Sequence, residues 1–216
     1  DGMEELLLVK YSASSTGYIH PNYNREKVHL CRYADDFIVT AEKKETLLEI
    51  QQMIEKFMGE RGLKLSEEKT VITNINDGFD FLGWNFRKYR GKLLIQPSRK
   101  SKQKITKSLS RTVKYYHEAS QELLIIKLNQ ITRGWAEYHH CICAKKTYAL
   151  IDHRLWEMLW KWAKRRHPRK GKKWIKNRYW HPKGNREWSF RTDKVILYQM
   201  MDMPIVRIRS LDLKKN

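Results

Sequence analysis

Between residues 28 and 40 the apolar positions fall in two short β-prone runs, Val28 to Tyr33 and Phe37 to Thr40, separated only by Ala34, Asp35 and Asp36. That pattern predicts a tight hairpin with acidic residues at its tip. The stretch before it, 11–27, is rich in Ser, Tyr and Asn and lacks both helical and alternating periodicity, so it is expected to form a mobile loop. Leu47, Ile50, Ile54, Phe57 and Met58 then recur at helical spacing with Lys43, Lys44, Glu45, Glu49, Glu55 and Glu60 between them. This predicts an amphipathic helix ending near Gly62. Short strands are expected at Leu63 to Leu65, Thr70 to Asn74, Phe79 to Phe86 and Lys92 to Ile95, the last two joined across Arg90-Gly91.

From Ser98 onward the period becomes helical. Lys100, Lys104, Lys107, Arg111 and Lys114 share a narrow arc at about 100° per residue, with Ile105, Leu109, Val113 and Tyr116 opposite. One face is expected to pack while the other presents a rail of cations. Further helices are expected over Gln121 to Thr132, Gly134 to Cys143 and Lys146 to Arg166, with Pro168 ending the last. Beyond it, turn signals at Pro168, Gly171, Pro182 and Gly184 predict mostly irregular structure before a strand at Ile205 to Ile208. The chain shows no internal repeat.

Charge divides the chain more sharply than hydrophobicity does. Of 44 Lys and Arg, 30 follow Gln96, against 9 of the 24 Asp and Glu, so the first 96 residues are near neutral and the remainder carries the whole excess. The net charge of +20 points to a polyanionic partner. No apolar run approaches the ~20 residues that span a bilayer, and the tryptophans are not aligned on one amphipathic face, which favours nucleic acid over a membrane. Three cysteines leave one unpaired in any intramolecular scheme, and no secretory signal opens the chain, so a reducing cytoplasm is expected. The chain opens Asp1-Gly2-Met3, without an initiator methionine at position 1, as cutting, processing or design would leave it.

Adjacent Asp35 and Asp36 repel one another and stay ionised only beside solvent or a cation. A divalent metal supplies that cation, and Mg²⁺ takes one or two carboxylates together with phosphate oxygens, as in two-metal nucleotidyl transfer. The competing reading is an acidic β-turn, where Asp is a favoured residue.

Context separates the two readings. Tyr33-Ala34-Asp35-Asp36 resembles the Tyr-x-Asp-Asp motif of reverse transcriptases. Gly62-Leu63-Lys64-Leu65-Ser66-Glu67-Glu68-Lys69-Thr70, after a helix, is similar to the palm block that follows the catalytic hairpin in group II intron enzymes. Phe81-Leu82-Gly83-Trp84 looks like the primer-grip hairpin that holds the 3′ end of the growing strand. Order and spacing match as well. The resemblance implies Asp35 as the main metal ligand with Asp36 beside it, and Tyr33, Phe81, Leu82 and Gly83 as support for the primer terminus. It also places Lys69 near the triphosphate or leaving pyrophosphate, as cation or proton donor; the alternative is a structural ion pair with a palm carboxylate.

The stretch from Leu128 to His139, LNQITRGWAEYH, resembles the core of the maturase-specific thumb of group II intron proteins, which lies along the template–primer duplex and grips the intron RNA. This distinguishes group II intron enzymes from retroviral ones. Arg133 is expected to be exposed, whereas Trp135 and Tyr138 are expected in the core rather than as base-stacking platforms. His139, His140, Cys141 and Cys143 have helical ligand spacing, but no second Cys/His pair stands at zinc-finger distance, so zinc is not expected.

Residues 161–191 hold 13 Lys and Arg against the single acidic Glu187, interleaved with Trp162, Trp174, Tyr179, Trp180, Trp188 and Phe190. Cations with planar apolar groups suit single strands or irregular nucleic acid. The segment resembles the DNA-binding region that follows the thumb in bacterial group II intron proteins, here with Arg165, Arg166, Lys172, Lys173, Trp174 and Arg178 as candidate contacts. The Cys/His pattern of an HNH endonuclease is absent, so target-strand cleavage is not expected.

The expected fold is therefore α+β. Part of a polymerase palm, an antiparallel sheet plus helix, spans 1–96, a helical thumb/maturase domain 97–167, and a basic, mostly irregular nucleic-acid-binding region 168–216. The resemblance covers nearly all of the chain and implies the C-terminal part of an RNA-directed DNA polymerase with intron maturase activity. It further implies two Mg²⁺ ions, deoxynucleoside triphosphates, intron RNA, a template–primer duplex and a DNA target. Fingers and a further catalytic Asp, which the family carries upstream, are expected on a separate, removed or absent N-terminal segment, so this segment alone is expected to be inactive. The alternatives are a non-catalytic RNA-binding maturase module with a palm remnant as scaffold, and a basic structural protein with accidental motif matches.

Overall fold

The computed structural model describes residues 2–13, 24 and 26–206. It divides the chain into two compact units, Asp1–Asn74 and Ile75–Asn216. The expected loop at 11–27 falls largely outside the described residues, as does the second half of the strand expected at 205–208, whose first two residues are irregular.

In the first unit two helices, α1 (Gly2–Ser12) and α2 (Lys44–Gly59), accompany an antiparallel pair, β1 (His29–Tyr33) and β2 (Asp36–Thr40). Pleating sorts the hairpin into two faces. Val28, Leu30, Phe37, Val39 and Ala41 join Met3, Leu7, Ile50 and Ile54 in a core of alternating strand positions and one stripe from each helix. Glu49 ties the helices together, accepting from Tyr11 Oη at 3.1 Å and pairing with Lys10. Burial and the Glu49 carboxylate push the Tyr11 phenol up to about 12.

Gly62 closes α2 as its sequence position predicts. At φ +69° it lets Leu63 N donate to Met58 O (2.9 Å) and Gly62 N donate to Gly59 O (3.1 Å), the paired bonds of a Schellman motif. The strands expected at Leu63 to Leu65 and Thr70 to Asn74 do not form. Both stretches are irregular, and Leu63 and Val71 are exposed, so these β-prone residues lack the sheet neighbour that would hold them extended. Helix α1 carried no periodic signal of its own.

The second unit opens with a three-stranded antiparallel sheet: β3 (Phe79–Phe81), β4 (Trp84–Tyr89) and β5 (Lys92–Pro97). The β-prone pattern predicts one strand over Phe79 to Phe86, but the chain reverses at Leu82-Gly83, where the motif resemblance has a hairpin, with φ +49° and +79°, and Phe81 pairs with Trp84. Positive φ at both central residues is the two-residue hairpin geometry that Gly admits at little cost. Arg90-Gly91 repeats it at +45° and +79° between β4 and β5.

Three long helices come next, α3 (Arg99–Tyr115), α4 (Gln121–His139) and α5 (Lys145–Arg166). Ser98 and Ser120 cap the first two, accepting from Ser101 N and Leu123 N at 3.1 and 3.2 Å. Helix α4 is continuous where two helices were expected to meet at Gly134. One glycine costs about 1 kcal/mol in a helix, and burial of Leu124, Leu128, Thr132, Ala136 and His139 along one face outweighs it.

The expectation of mostly irregular structure after Pro168 is corrected. Helix α6 (Lys172–Tyr179) leads directly into a hairpin, β6 (Trp180–Lys183) with β7 (Arg186–Phe190), and a 3-10 turn spans Met200–Asp202. The turn signals were real but bounded short elements. Ile175, Tyr179, Trp180, Phe190 and Met200 anchor them to the same core as α3 to α5.

Candidate catalytic hairpin and nucleic-acid interface

Asp35 and Asp36 sit at the tip of the β1–β2 hairpin and both are exposed. The loop is Ala34-Asp35 alone, because Asp36 already pairs with Tyr33 as the last rung of the ladder. The reversal holds Ala34 at φ +51°, a strained conformation for a residue with a Cβ. Tyr33, 66% exposed, shares with Asp36 the face that carries His29, Cys31, Ile38 and Thr40, opposite the one packed on the helices. Lys69 belongs to the same unit and is exposed at the end of the Ser66–Lys69 turn, where its N–H donates to Ser66 O at 3.1 Å. Among the described residues, neither aspartate nor Lys69 takes part in an ion pair.

Two side-by-side carboxylates at an exposed tip suit a hard divalent cation that completes its shell with phosphate oxygens and water. Among the described residues, no group of three or more Asp, Glu, His or Cys gathers that could hold a metal. All three cysteines of the chain are free thiols.

Phe81, Leu82 and Gly83 belong to the second unit, where one helical side chain and the backbone of a cap residue hold their turn. Tyr138 Oη donates to Leu82 O at 2.6 Å, and Ser98 N donates to Gly83 O at 2.9 Å. One residue on, Trp84 Nε1 donates to Nδ1 of His139 at 3.0 Å, and Nε2 of the same ring lies 3.0 Å from Ser101 Oγ. An indole N–H can only donate, so Nδ1 carries no proton and the Nε2–H is left to donate to Ser101. Trp135 Nε1 donates to that hydroxyl as well, at 3.1 Å. His139 is fully buried, and desolvation lowers its pKa to about 4, in agreement with a neutral ring. Sequence reasoning considered this histidine only as a metal ligand. Its position four residues after Trp135 was the signal that it belongs to the packed face.

Trp135 is half-buried, whereas Tyr138 is half-exposed, its ring 5.7 Å from that of Trp84. The cations of α3 stand where the periodicity put them: Lys100, Lys104, Lys107, Arg111 and Lys114 are exposed, while Ile105, Leu109 and Val113 are buried. Arg133 is exposed with its guanidinium 4.5 Å from the centre of the Tyr198 ring. Arg165, Lys172, Lys173 and Arg178 are exposed. Arg166 is exposed too but committed: Nη1 donates to His117 O and Ala119 O, at 2.9 and 2.8 Å, satisfying carbonyls of the turn between α3 and α4.

The aromatics of 161–191 divide cleanly. Trp162, Tyr179, Trp180 and Phe190 are core, while Trp174 and Trp188 are 39% and 41% exposed, with Lys170 Nζ 5.4 Å above the first and Lys176 Nζ 5.1 Å above the second. Among the described residues, no helix is long and apolar enough to cross a membrane.

Two family models match stretches of the chain. The model for reverse transcriptase (RNA-dependent DNA polymerase) matches residues 11–86, and the model for the group II intron maturase-specific domain matches residues 99–180. No curated protein sequence matches the chain.

Proposed function

The chain belongs to the reverse transcriptase/maturase proteins encoded by group II introns, and on that premise we propose that Asp35 and Asp36 are metal ligands of its polymerase palm and that the basic helical face holds intron RNA. The observation that carries the reading is the exposed carboxylate pair at a two-residue hairpin tip, upstream of a domain whose cations line an outer helix face.

Mg²⁺ bound at the pair would activate the primer 3′ hydroxyl and neutralise charge on the triphosphate. Asp35 and Asp36 bind and orient, while Tyr33, on the Asp36 face, supports the primer terminus. Lys69 stabilises charge developing on the leaving group. Phe81, Leu82 and Gly83 hold the primer strand through backbone fixed by Tyr138 and Ser98. A two-metal site needs more anionic ligands than these two, and in this reading a further aspartate, carried on an upstream palm segment other than these 216 residues, completes it.

The rail on α3, together with Arg133, Arg165, Lys172, Lys173 and Arg178, tracks the phosphates of RNA and of the template–primer duplex. Trp174, exposed beside Lys170 and His167, stacks on an unpaired base of RNA or target DNA. Splicing of the cognate intron at limiting Mg²⁺ tests the maturase part. The protein should accelerate it, and Lys104→Gln with Lys107→Gln and Arg111→Gln should remove the acceleration. Unchanged acceleration by that variant would contradict the placement of RNA on α3.

A further inference from the structure

Asn129 and Arg133 lie one turn apart on α4, and each reaches the segment 196–199. The Asn129 side chain acts as a backbone surrogate, donating to Ile196 O at 2.8 Å and accepting from Tyr198 N at 2.7 Å. This sets the Tyr198 ring under the Arg133 guanidinium, 4.5 Å away. Two further side chains fix the chain beyond Tyr198. Asp152 accepts from Met200 N and Met201 N, at 3.1 and 3.0 Å, and Lys145 Nζ donates to Met201 O and Met203 O, both at 2.7 Å. The 3-10 turn so held presents Asp202, which binds Arg186 of β7 by two bonds of 2.7 and 2.5 Å.

Beside these ties lies a shallow, open hollow of about 50 Å³ whose lining carries Arg133, Lys183 and Arg186 against the single carboxylate of Asp202. Among the described residues, Arg133 and Lys183 form no ion pair, although, behind the Arg186 hydrogen bond, the charge of Lys183 helps to hold the Asp202 carboxyl below its ordinary pKa. Immobilised walls on which three cations face one carboxylate are an arrangement for receiving an anion, because the cost of ordering the binding groups is met in folding rather than in binding. A guanidinium lying on an aromatic ring keeps its N–H edges available, and that fork matches the oxygens of a phosphate. A stacked base is the poorer fit, since Arg133 already covers one face of Tyr198.

We propose that this hollow receives one backbone phosphodiester of the bound RNA, held by Arg133 and Lys183, with Arg186 as a third donor partly neutralised by Asp202. The proposal rests on the reading that this domain binds RNA, and gives the Asn129 to Arg133 turn of α4 a specific task within it.

The test is RNA binding by the whole chain across a salt series, for the wild type, for Arg133→Gln with Lys183→Gln, and for the α3 variant Lys104→Gln with Arg111→Gln. The hollow variant should bind about tenfold more weakly at 0.1 M salt, the size of one charge-assisted contact, and its log-affinity against log-salt slope should fall by about 1. Replacing single RNA phosphates with neutral methylphosphonates should reveal one position where wild-type binding weakens and the hollow variant does not respond. Lys183→Gln alone, on an exposed hairpin, repeats that cycle where Arg133→Gln disturbs folding. Wild-type affinity and slope in the hollow variant, alongside loss in the α3 variant, would overturn the proposal and leave the RNA-binding reading intact. Salt-independent binding in all three proteins would overturn both.

Discussion

The indole N–H of Trp84 donates to Nδ1 of His139 over 3.0 Å, so strand β4 and the last turn of α4 are joined by a bond that exists in only one protonation state of the imidazole. The ring meets Ser101 through its other nitrogen, linking three elements through a single buried side chain.

That linkage makes stability depend on pH with a defined sign. Burial holds the folded pKa of His139 at about 4, below its ordinary 6.5, so between those values the unfolded chain binds more protons. The stabilisation is complete above about pH 6.5 and is lost as pH falls towards 4. Asp152, raised to about 6 by burial, titrates in the same range with the opposite sign, since its folded form holds the proton more tightly. Subtracting the unfolding free energy of His139→Gln from that of the wild type at each pH isolates the histidine. The difference should grow from pH 4 to 6.5 and level off above; a difference independent of pH would show that protonation of His139 is not linked to folding.

Removing the donor instead of the acceptor gives a second measure. Trp84→Phe keeps much of the ring's packing but leaves the buried His139 Nδ1 without a partner, which should cost about 1–3 kcal/mol in chemical denaturation. Trp174→Phe, at an exposed position, should change stability by less than about 0.5 kcal/mol. Equal costs at the two sites would contradict the division of aromatics into anchors and open faces.

The helical half was legible wherever one face is buried along its whole length. The α3 stripe of Ile105, Leu109 and Val113 and the end of α5 at Arg166 follow from period and punctuation alone. Gly134 misled because its local propensity is outweighed by a core that only the assembled helices create. At Leu82-Gly83 period alone read one strand where the motif resemblance marked a hairpin: an apolar residue at φ +49° does not interrupt the apolar pattern, and the turn is held by Tyr138 and Ser98, distant in sequence. The charge step at Gln96 and the packing step at Asn74 are separate boundaries, since Trp84 and Ile95 of the sheet pack against the helical core. The candidate catalytic residues were visible as a motif, whereas the surroundings of Arg133 were not, because Tyr198, Lys183 and Arg186 reach it only through tertiary structure.

The exposed cations of α3 define a third outcome. Lys104→Ala with Lys107→Ala and Arg111→Ala should leave the unfolding transition within about 0.5 kcal/mol of wild type per site, because these side chains lie outside the core. Affinity for structured RNA should fall, and the dependence on log salt should flatten by roughly one unit for each phosphate contact removed. Loss of folded structure in the absence of RNA would mark the residues as structural.

The central claim is that the carboxylates at the β1–β2 tip hold the metal of a polymerase. Primer extension on an RNA template, measured with the complete palm present in one chain or supplied in trans, tests it most directly. Extension should require Mg²⁺ and should fall about 10³-fold or more in Asp35→Ala, since metal-based charge stabilisation is worth several kcal/mol and each 1.4 kcal/mol is a factor of ten. Asp80→Ala, an exposed carboxylate on β3, should extend at the wild-type rate. Extension unaffected by Asp35→Ala would contradict the site, and no extension by the complete palm, with splicing still accelerated, would show an RNA-binding maturase whose palm serves as scaffold.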